Sequence, residues 1–487
     1  MSQIHMDVAI VGNELCGIAA AAQLAHRGLR VVLIDDGHTD VHPLGGFSVP
    51  VAPSIWQLPS AGMNADLIAQ LGLKHDISQA FSENAELAII SDPHLRCAFP
   101  PHSKERTTEF SRIFGEEHGR VTSDYLSQYV QPPRDSLFEE SARLLDKGLF
   151  NQLKAKKRIQ KADDSIDPSA QSPETAVLDS SPLRPMIEHW ARFELPLLEY
   201  SPQGFMFETI AHRFKTGVTN ESIDGLTPRC KLGQLFKRVI AGHGGEILPG
   251  AQVVSVETRG SKIARLQTDG ENDFVANVVI DATPDSSFLE HFPDSRALTK
   301  TRNMEKAIAN SGGAAIRRWI LPKARLPRGL GPCTLIYSEQ EKEINCPIVL
   351  SVFKNLQPSA SEERKKGQRA TNNDYVGVIA ASRTPADVDA PSFSSYIEAV
   401  VHEVMPFSLQ YAKASDDIVG QRAWNALPSY TAQDGAHTLL RGRSPRTGFQ
   451  NLYRAGRDIA PSMGLAGELS TARSICEGIA TKLLPSK

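Results

Sequence analysis

Two short apolar runs flank a glycine turn at the start of the chain. Met6-Asp7-Val8-Ala9-Ile10-Val11 ends at Gly12, and Gly12-Asn13-Glu14-Leu15-Cys16-Gly17 follows. An Ala-rich stretch then runs to His26, with Gly28, a second run Val31-Val32-Leu33-Ile34, and Asp35 after it. This order predicts strand, tight turn, helix, strand, acid: the opening βαβ unit of a dinucleotide-binding fold. The pattern departs from G-x-G-x-x-G at one position. Gly12 and Gly17 hold the outer places, but Glu14 stands where the middle glycine would let the backbone approach a pyrophosphate. A carboxylate there adds bulk and a like charge.

Leu15, Ile18, Ala19, Ala22 and Leu24 fall near a helical period, and the small residues allow close packing on a sheet. Gly28 suits the residue just past the helix end. Asp35 follows the second strand where a ribose-binding acid belongs; the plainer alternative is a turn cap. Gly45-Gly46 suggests backbone passing close to a ligand, though alone it is a loop signal.

At 487 residues the chain is too long for one simple core. Its net charge of −3 gives no reason to expect nucleic acid. Cys16, Cys97, Cys230, Cys333, Cys346 and Cys476 are scattered, which suggests neither a zinc site nor a disulfide framework and fits a reducing, cytoplasmic location. The histidines form no metal-ligand spacing. No apolar stretch reaches the roughly 18 residues of a membrane span. Peripheral membrane contact is left open.

Further along, Met63 to Leu73 reads as helix, Glu86 to Pro100 as a hairpin, and Lys104 to Leu149 as mostly helical. Residues 154–185 shift in composition, with Lys154, Lys156, Lys157, Arg158 and Lys161 ahead of acids, Ser and Pro; they read as a surface insert. Met186 to Phe214 and Leu232 to Ile240 return to helical patterning. Strands are expected at Gly244–Leu248, Ala251–Glu257, Ile263–Thr268 and Val275–Asp281, followed by Ala282. They need a sheet to pack on, and the opening unit is the simplest donor. Strand-like runs recur at Ala314–Ile320, Thr334–Tyr337, Ile348–Phe353 and Tyr375–Ile379, with a loop tip at Gln357–Asp374 and a helix at Ser394–Val404. The chain closes with strand Asn451–Gly456, then Arg457-Asp458, the glycine-rich Pro461–Gly467, and a helix from about Glu468 to Leu484.

In this order of pieces the chain resembles the phytoene desaturase and amine oxidase superfamily of FAD-dependent oxidoreductases, the desaturase branch more closely. The resemblance rests on the glycine turn with Asp35, Gly45-Gly46, the Gly244 to Val256 stretch, Val278 to Pro284, and Asn451-Leu452-Tyr453…Gly456…Pro461…Gly464…Gly467. It implies an α/β fold: a Rossmann-like FAD-binding domain, a parallel sheet with a βββ meander, plus an inserted mixed α+β substrate domain. The FAD-binding domain would comprise residues 1–100, 228–290 and 425–487, and the substrate domain residues 101–227 and 291–424. By the same resemblance Gly12, Gly17 and the backbone of Leu15 and Cys16 would face the pyrophosphate, at a helix N-terminus with free N–H groups. Asp35 would meet the adenosine ribose and Val253 the adenine. Gly45, Gly46 and Ala282 would lie along the cofactor, Gly456 and Asp458 by the pyrophosphate and ribityl chain, and Gly464 and Leu465 beside the flavin ring. Arg457-Asp458 is a second departure, since the desaturase branch usually has small residues there. From placement alone, Arg457 could offset Glu14.

Two functions are expected. One is an FAD-dependent oxidoreductase moving a hydride between flavin and a C–H bond of an apolar polyene, lipid or amine-like substrate. It needs no acid–base pair, and none is assigned; Glu468 is read as an acid favoured at a helix start. The other is a cofactor-free binding or carrier protein on the same scaffold, as Rab GDP dissociation inhibitor resembles these enzymes in fold. Glu14 in the phosphate loop is the kind of change that would accompany loss of FAD.

Overall fold

The computed structural model describes residues 3–37, 40–53, 56–57, 63–81, 89–92, 95–100, 102–128, 193, 218–270, 272–284, 287–306, 308–310, 313–336, 346–359, 374–384, 390–432, 443–461 and 464–484. The surface insert at 154–185, and the helical patterning expected over 129–149 and 186–214 apart from Phe193, lie outside these residues.

The opening unit forms as its pattern requires. Strand β1 (Gln3–Val11) is followed by helix α1 (Leu15–His26) and strand β2 (Val31–Asp35). Helix α2 (Pro228–Gly242) leads to β3 (Glu246–Pro249), β4 (Val253–Arg259), β5 (Lys262–Thr268) and β6 (Asp273–Asp281). Strand β7 (Leu452–Arg454) and helix α3 (Gly464–Leu483) close the chain. Strands β3, β2, β1, β6 and β7 lie side by side and parallel. The antiparallel pair β4–β5 continues from the start of β6, so the late strands do return to the opening sheet.

Side-chain alternation sorts the two faces of this sheet. Val8 and Ile10 join Leu33 and Ile280 on the face covered by α1, α2 and α3, while Ala9 and Val11 join Val32, Ile34 and Val279 on the other. Helix α1 is buried from Leu15 to Ala25 because it lies between the sheet and two helices. Its alanines let all three pack closely. Gly28, at φ 85°, ends the helix as expected.

A second, mixed sheet of seven strands runs in the order 414–418, 313–322, 375–384, 348–353, 333–336, 89–92 and 95–98. The last two are the hairpin expected near Pro93. One face holds Phe47, Phe99, Phe110, Ile316 and Phe353. The other holds Trp319, Leu350 and Val378 under the helix Ala390–Val404. The fold is therefore α/β, a Rossmann-like parallel unit joined to a second mixed unit.

Backbone around the glycine turn is locked to the end of β6. Gly12 N–H donates to Ile34 O at 2.9 Å, Glu14 N–H to Ala282 O at 3.0 Å, and Ala282 N–H to Val11 O at 2.7 Å. A Cβ on Gly12 would lie 2.4 Å from Ala282 O, and one on Gly17 2.2 Å from Ala282 Cβ. Gly12 also has φ 98°, a conformation that side chains rarely adopt. Both glycines are thus demanded by the contact with Ala282. Gly17→Ala is expected to destabilise the protein by about 1–3 kcal/mol through overpacking. Adding Ala282→Gly should recover part of that loss. Chemical unfolding of the single and double variants checks this, and no recovery in the double variant would show that the clash lies elsewhere.

Candidate functional site

Glu14 caps α1 with extended backbone, but its side chain bonds none of the helix N–H groups. The carboxylate is only 4% exposed and is met by two guanidiniums. Arg457 Nε donates to Oε2 at 3.1 Å and Nη2 to Oε1 at 3.4 Å. Arg229 Nη2 donates to Oε2 as well. Arg229 also pairs with Glu468 and reaches Asp40 at 3.5 Å. Arg457 Nη1 donates to Ala426 O at 2.8 Å, which ties the cluster to the chain beside the second sheet. The meeting of Arg457 with Glu14, anticipated from placement, is present.

Arg229 comes from the first turn of α2, set there by Thr227 as N-cap and Pro228 at the first helical position. A cation at a helix N-terminus loses about 0.3–1 kcal/mol to the dipole. Stranding a buried charge by removing its partner costs about 3–5 kcal/mol, so the carboxylates decide the placement. Burial disfavours the Arg229 charge, yet Glu14, Glu468 and Asp40 together hold its pKa above the ordinary value. Glu468 moves the other way. Burial raises its carboxyl above the usual range, Arg229 opposes this, and Glu14 adds to it.

Of the other residues expected at a nucleotide, the acids are also paired with cations. Asp35 accepts from Lys237 Nζ at 2.6 Å and from Gly37 N–H at 3.0 Å. Asp458 Oδ2 accepts from Arg443 at 3.1 Å and Arg454 at 3.3 Å, and Arg454 also donates to Asp281 at 2.9 Å. Among the described residues Asp458 Oδ1 is buried without a hydrogen-bond partner, and it turns toward Gly456, where an added Cβ would lie 2.5 Å away. Leu15 and Cys16 are buried in the first turn of α1. Burial, then Glu468, pushes the Cys16 thiol well up, which leaves it unreactive. Gly45 and Gly46, at φ 58° and 90°, form the tight turn between strands Val41–Leu44 and Phe47–Pro50. A Cβ on Gly45 would stand 2.8 Å from Ala414 Cβ, so that glycine serves contact with the second sheet. Val253 is buried at the start of β4.

A cleft of about 130 Å³ opens where the two units meet. Of the residues expected at a cofactor, only Gly464 and Leu465 line it. Arg229, Arg457 and Glu468 join them from the ion-pair cluster, with Arg383 from the second sheet. Helix α3 begins at Gly464, one turn earlier than expected, so Glu468 is a paired acid inside the helix and not an acid at its start. Sequence reasoning missed Arg229, Lys237 and Arg383. Only Arg229 carried a signal, a cation in the first turn of a helix that Thr227-Pro228 marks.

Glu14→Gln is expected to cost about 3–5 kcal/mol by stranding the Arg457 guanidinium, while Arg229 keeps Glu468 and Asp40. In a double-mutant cycle with Arg457→Gln, the pair should show a coupling above the roughly 0.5 kcal/mol of independent sites. Additive losses in denaturant unfolding would mean that the two side chains do not pair.

No protein-family model and no curated protein matches this sequence. In fold the chain is similar to an oxidoreductase from Methanosarcina mazei, at 16% identity over 97% of this chain and 100% of the other, with a TM-score of 0.58. It is similar to putrescine oxidase bound to putrescine, at 16% identity over 99% and 100%, with a TM-score of 0.57. Rab GDI from Plasmodium falciparum is similar over 97% of this chain and 98% of its own, at 12% identity and a TM-score of 0.54. At these identities the likeness is one of fold, and it joins oxidoreductases with a protein of another kind. No helix among the described residues is long and apolar enough to cross a membrane.

Proposed function

We propose that this chain is a cofactor-free binding protein built on the fold of the flavin oxidoreductases. The observation that carries the reading is the buried cluster of Glu14, Arg229, Arg457 and Glu468 at the N-terminus of α1. In a dinucleotide fold that end of the first helix is where a pyrophosphate sits. Here a carboxylate stands at the cap and protein cations already compensate it.

Charge supports the same conclusion. Glu14, Glu468 and Asp40 meet two arginines, Arg229 and Arg457. A pyrophosphate would add further negative charge to three acids. At an effective dielectric of about 20, each like-charge contact at 4 Å costs about 4 kcal/mol. The ribose acid Asp35 is committed to Lys237 as well.

The second reading is a flavin-dependent oxidoreductase acting on an apolar polyene, lipid or amine-like substrate. It is favoured by the likeness in fold to putrescine oxidase and by Asp458 Oδ1, a buried acceptor with no partner that would suit a ribityl hydroxyl. That reading requires Arg229 and Arg457 to leave Glu14 when the cofactor enters. In that state Gly12, Gly17, Asp35, Asp458, Gly464 and Leu465 would hold FAD, and the flavin would supply the hydride chemistry.

Purified protein is expected to be colourless and to stay so after incubation with excess FAD and removal of the unbound cofactor. Protein that retains a stoichiometric flavin absorbance band would overturn the cofactor-free reading. The paired variant Glu14→Gly with Arg229→Ala, which removes the cap carboxylate and one guanidinium, should bind FAD more tightly than the native chain. Calorimetric titration with FAD reads that difference.

A further inference from the structure

Arg383 differs from the other arginines of the cleft. It stands near the end of the strand Tyr375–Thr384, opposite Ala314 of the neighbouring strand. Its Nε donates to Phe193 O at 3.1 Å, and its Nη1 to Leu427 O at 3.3 Å and to Pro428 O. All three partners are neutral carbonyls. Among the described residues no carboxylate pairs with it, and Nη2 makes no hydrogen bond. Arg229 and Arg457, by contrast, are both committed to Glu14.

Carbonyls satisfy donors but leave the charge uncompensated. Burial pushes the Arg383 pKa down to about 9, Tyr430 opposes this, and the neighbouring Arg457 adds to it. A guanidinium does not give up its proton near neutral pH. A bound anion would supply the charge that the carbonyls do not. The walls around Arg383 include Val51, Phe193, Leu427, Pro428 and Leu465, which favour an apolar body behind the charge. Glu468, 4% exposed, also lines the cleft, with its Oε2 buried and without a hydrogen-bond partner among the described residues.

We propose that this cleft binds a small monocarboxylate whose apolar body is about the size of one ring, with the carboxylate held by the Arg383 guanidinium. Nε and Nη1 are taken by the carbonyls, so Nη2 would supply the charge-assisted N–H donors to the carboxylate. The enclosed part of the cleft, about 130 Å³, is close to the volume that holds one benzene ring. This inference rests on the cofactor-free reading, since it assigns the cleft to a ligand other than flavin.

Calorimetric titration of the full chain with benzoate tests it. Benzoate should bind, with benzyl alcohol weaker by about 10- to 100-fold, the range for a lost charge-assisted hydrogen bond, and inorganic phosphate, which keeps the charge but has no ring to bury, weaker as well. Arg383→Gln should weaken benzoate by a similar factor and leave the weak benzyl alcohol binding unchanged. Equal binding of benzoate and benzyl alcohol by the native chain would overturn the proposal even if the variant does not fold. Equal binding of phosphate would overturn the assignment of an apolar body, and absence of benzoate binding would overturn the site. A colourless protein blind to benzoate defeats this inference alone. A protein that takes up FAD and thereby loses its benzoate site defeats the cofactor-free reading as well.

Discussion

The pairing of Glu14 with Arg229 and Arg457 is the interaction on which the centre of the molecule depends. It joins four segments distant in sequence: the cap of α1, the first turn of α2, the loop after β7 and, through Arg229, Glu468 of α3. Buried ion pairs add little net stability compared with apolar packing of the same volume. Their effect is on uniqueness, because any arrangement that separates them strands a charge. The cluster therefore fixes how the three helices meet over the parallel sheet, and it does so where a nucleotide fold would otherwise present free N–H groups to a ligand.

The glycines of the opening turn have two separable reasons to be there. One is access for a phosphate. The other is the approach of the turn to Ala282 at the end of β6, where a Cβ at position 12 or 17 would fall within 2.4 Å of Ala282 atoms. That packing demand is met whether or not a ligand binds. Persistence of Gly12 and Gly17 thus reports the fold, while the middle position, which faces no such contact, is free to carry Glu14. The same reasoning applies to Gly45, held by Ala414, and to Gly456, beside Asp458.

This separation explains what could be read from the residues in advance. The βαβ start, the return of the late strands to it, the hairpin before Pro100 and the long strands of the second sheet all follow from local periodicity and turn chemistry. Position alone also anticipated the Glu14–Arg457 contact, since both flank the same expected site. Arg229, Lys237 and Arg383 were not legible, because their meaning depends on which acids or carbonyls the topology brings to them. A lysine in the third turn of α2 looks like any solvated cation until β2 delivers Asp35 to within 2.6 Å. The start of α3 was misread for a related reason. Gly464 resembles a loop residue, but its φ of 54° lets the helix begin beside the cleft.

The electrostatic character of the cleft follows from how the pairs are distributed. Asp40, Glu14 and Glu468 all converge on Arg229, so one cation absorbs the acids that could have served its neighbours. Arg457 shares Glu14 and takes the Ala426 carbonyl. Arg383 is left with carbonyls only, in a cleft that Gly464 and Leu465 at the positive N-terminal end of α3 also line. On the cofactor-free reading, the same cleft would disfavour a doubly charged dinucleotide beside Glu14 and still accept a single negative charge at Arg383. Both parts of that reading rest on one contrast: Glu14 is met by Arg229 and Arg457, whereas Arg383, on the strand Tyr375–Thr384, makes its hydrogen bonds to carbonyls.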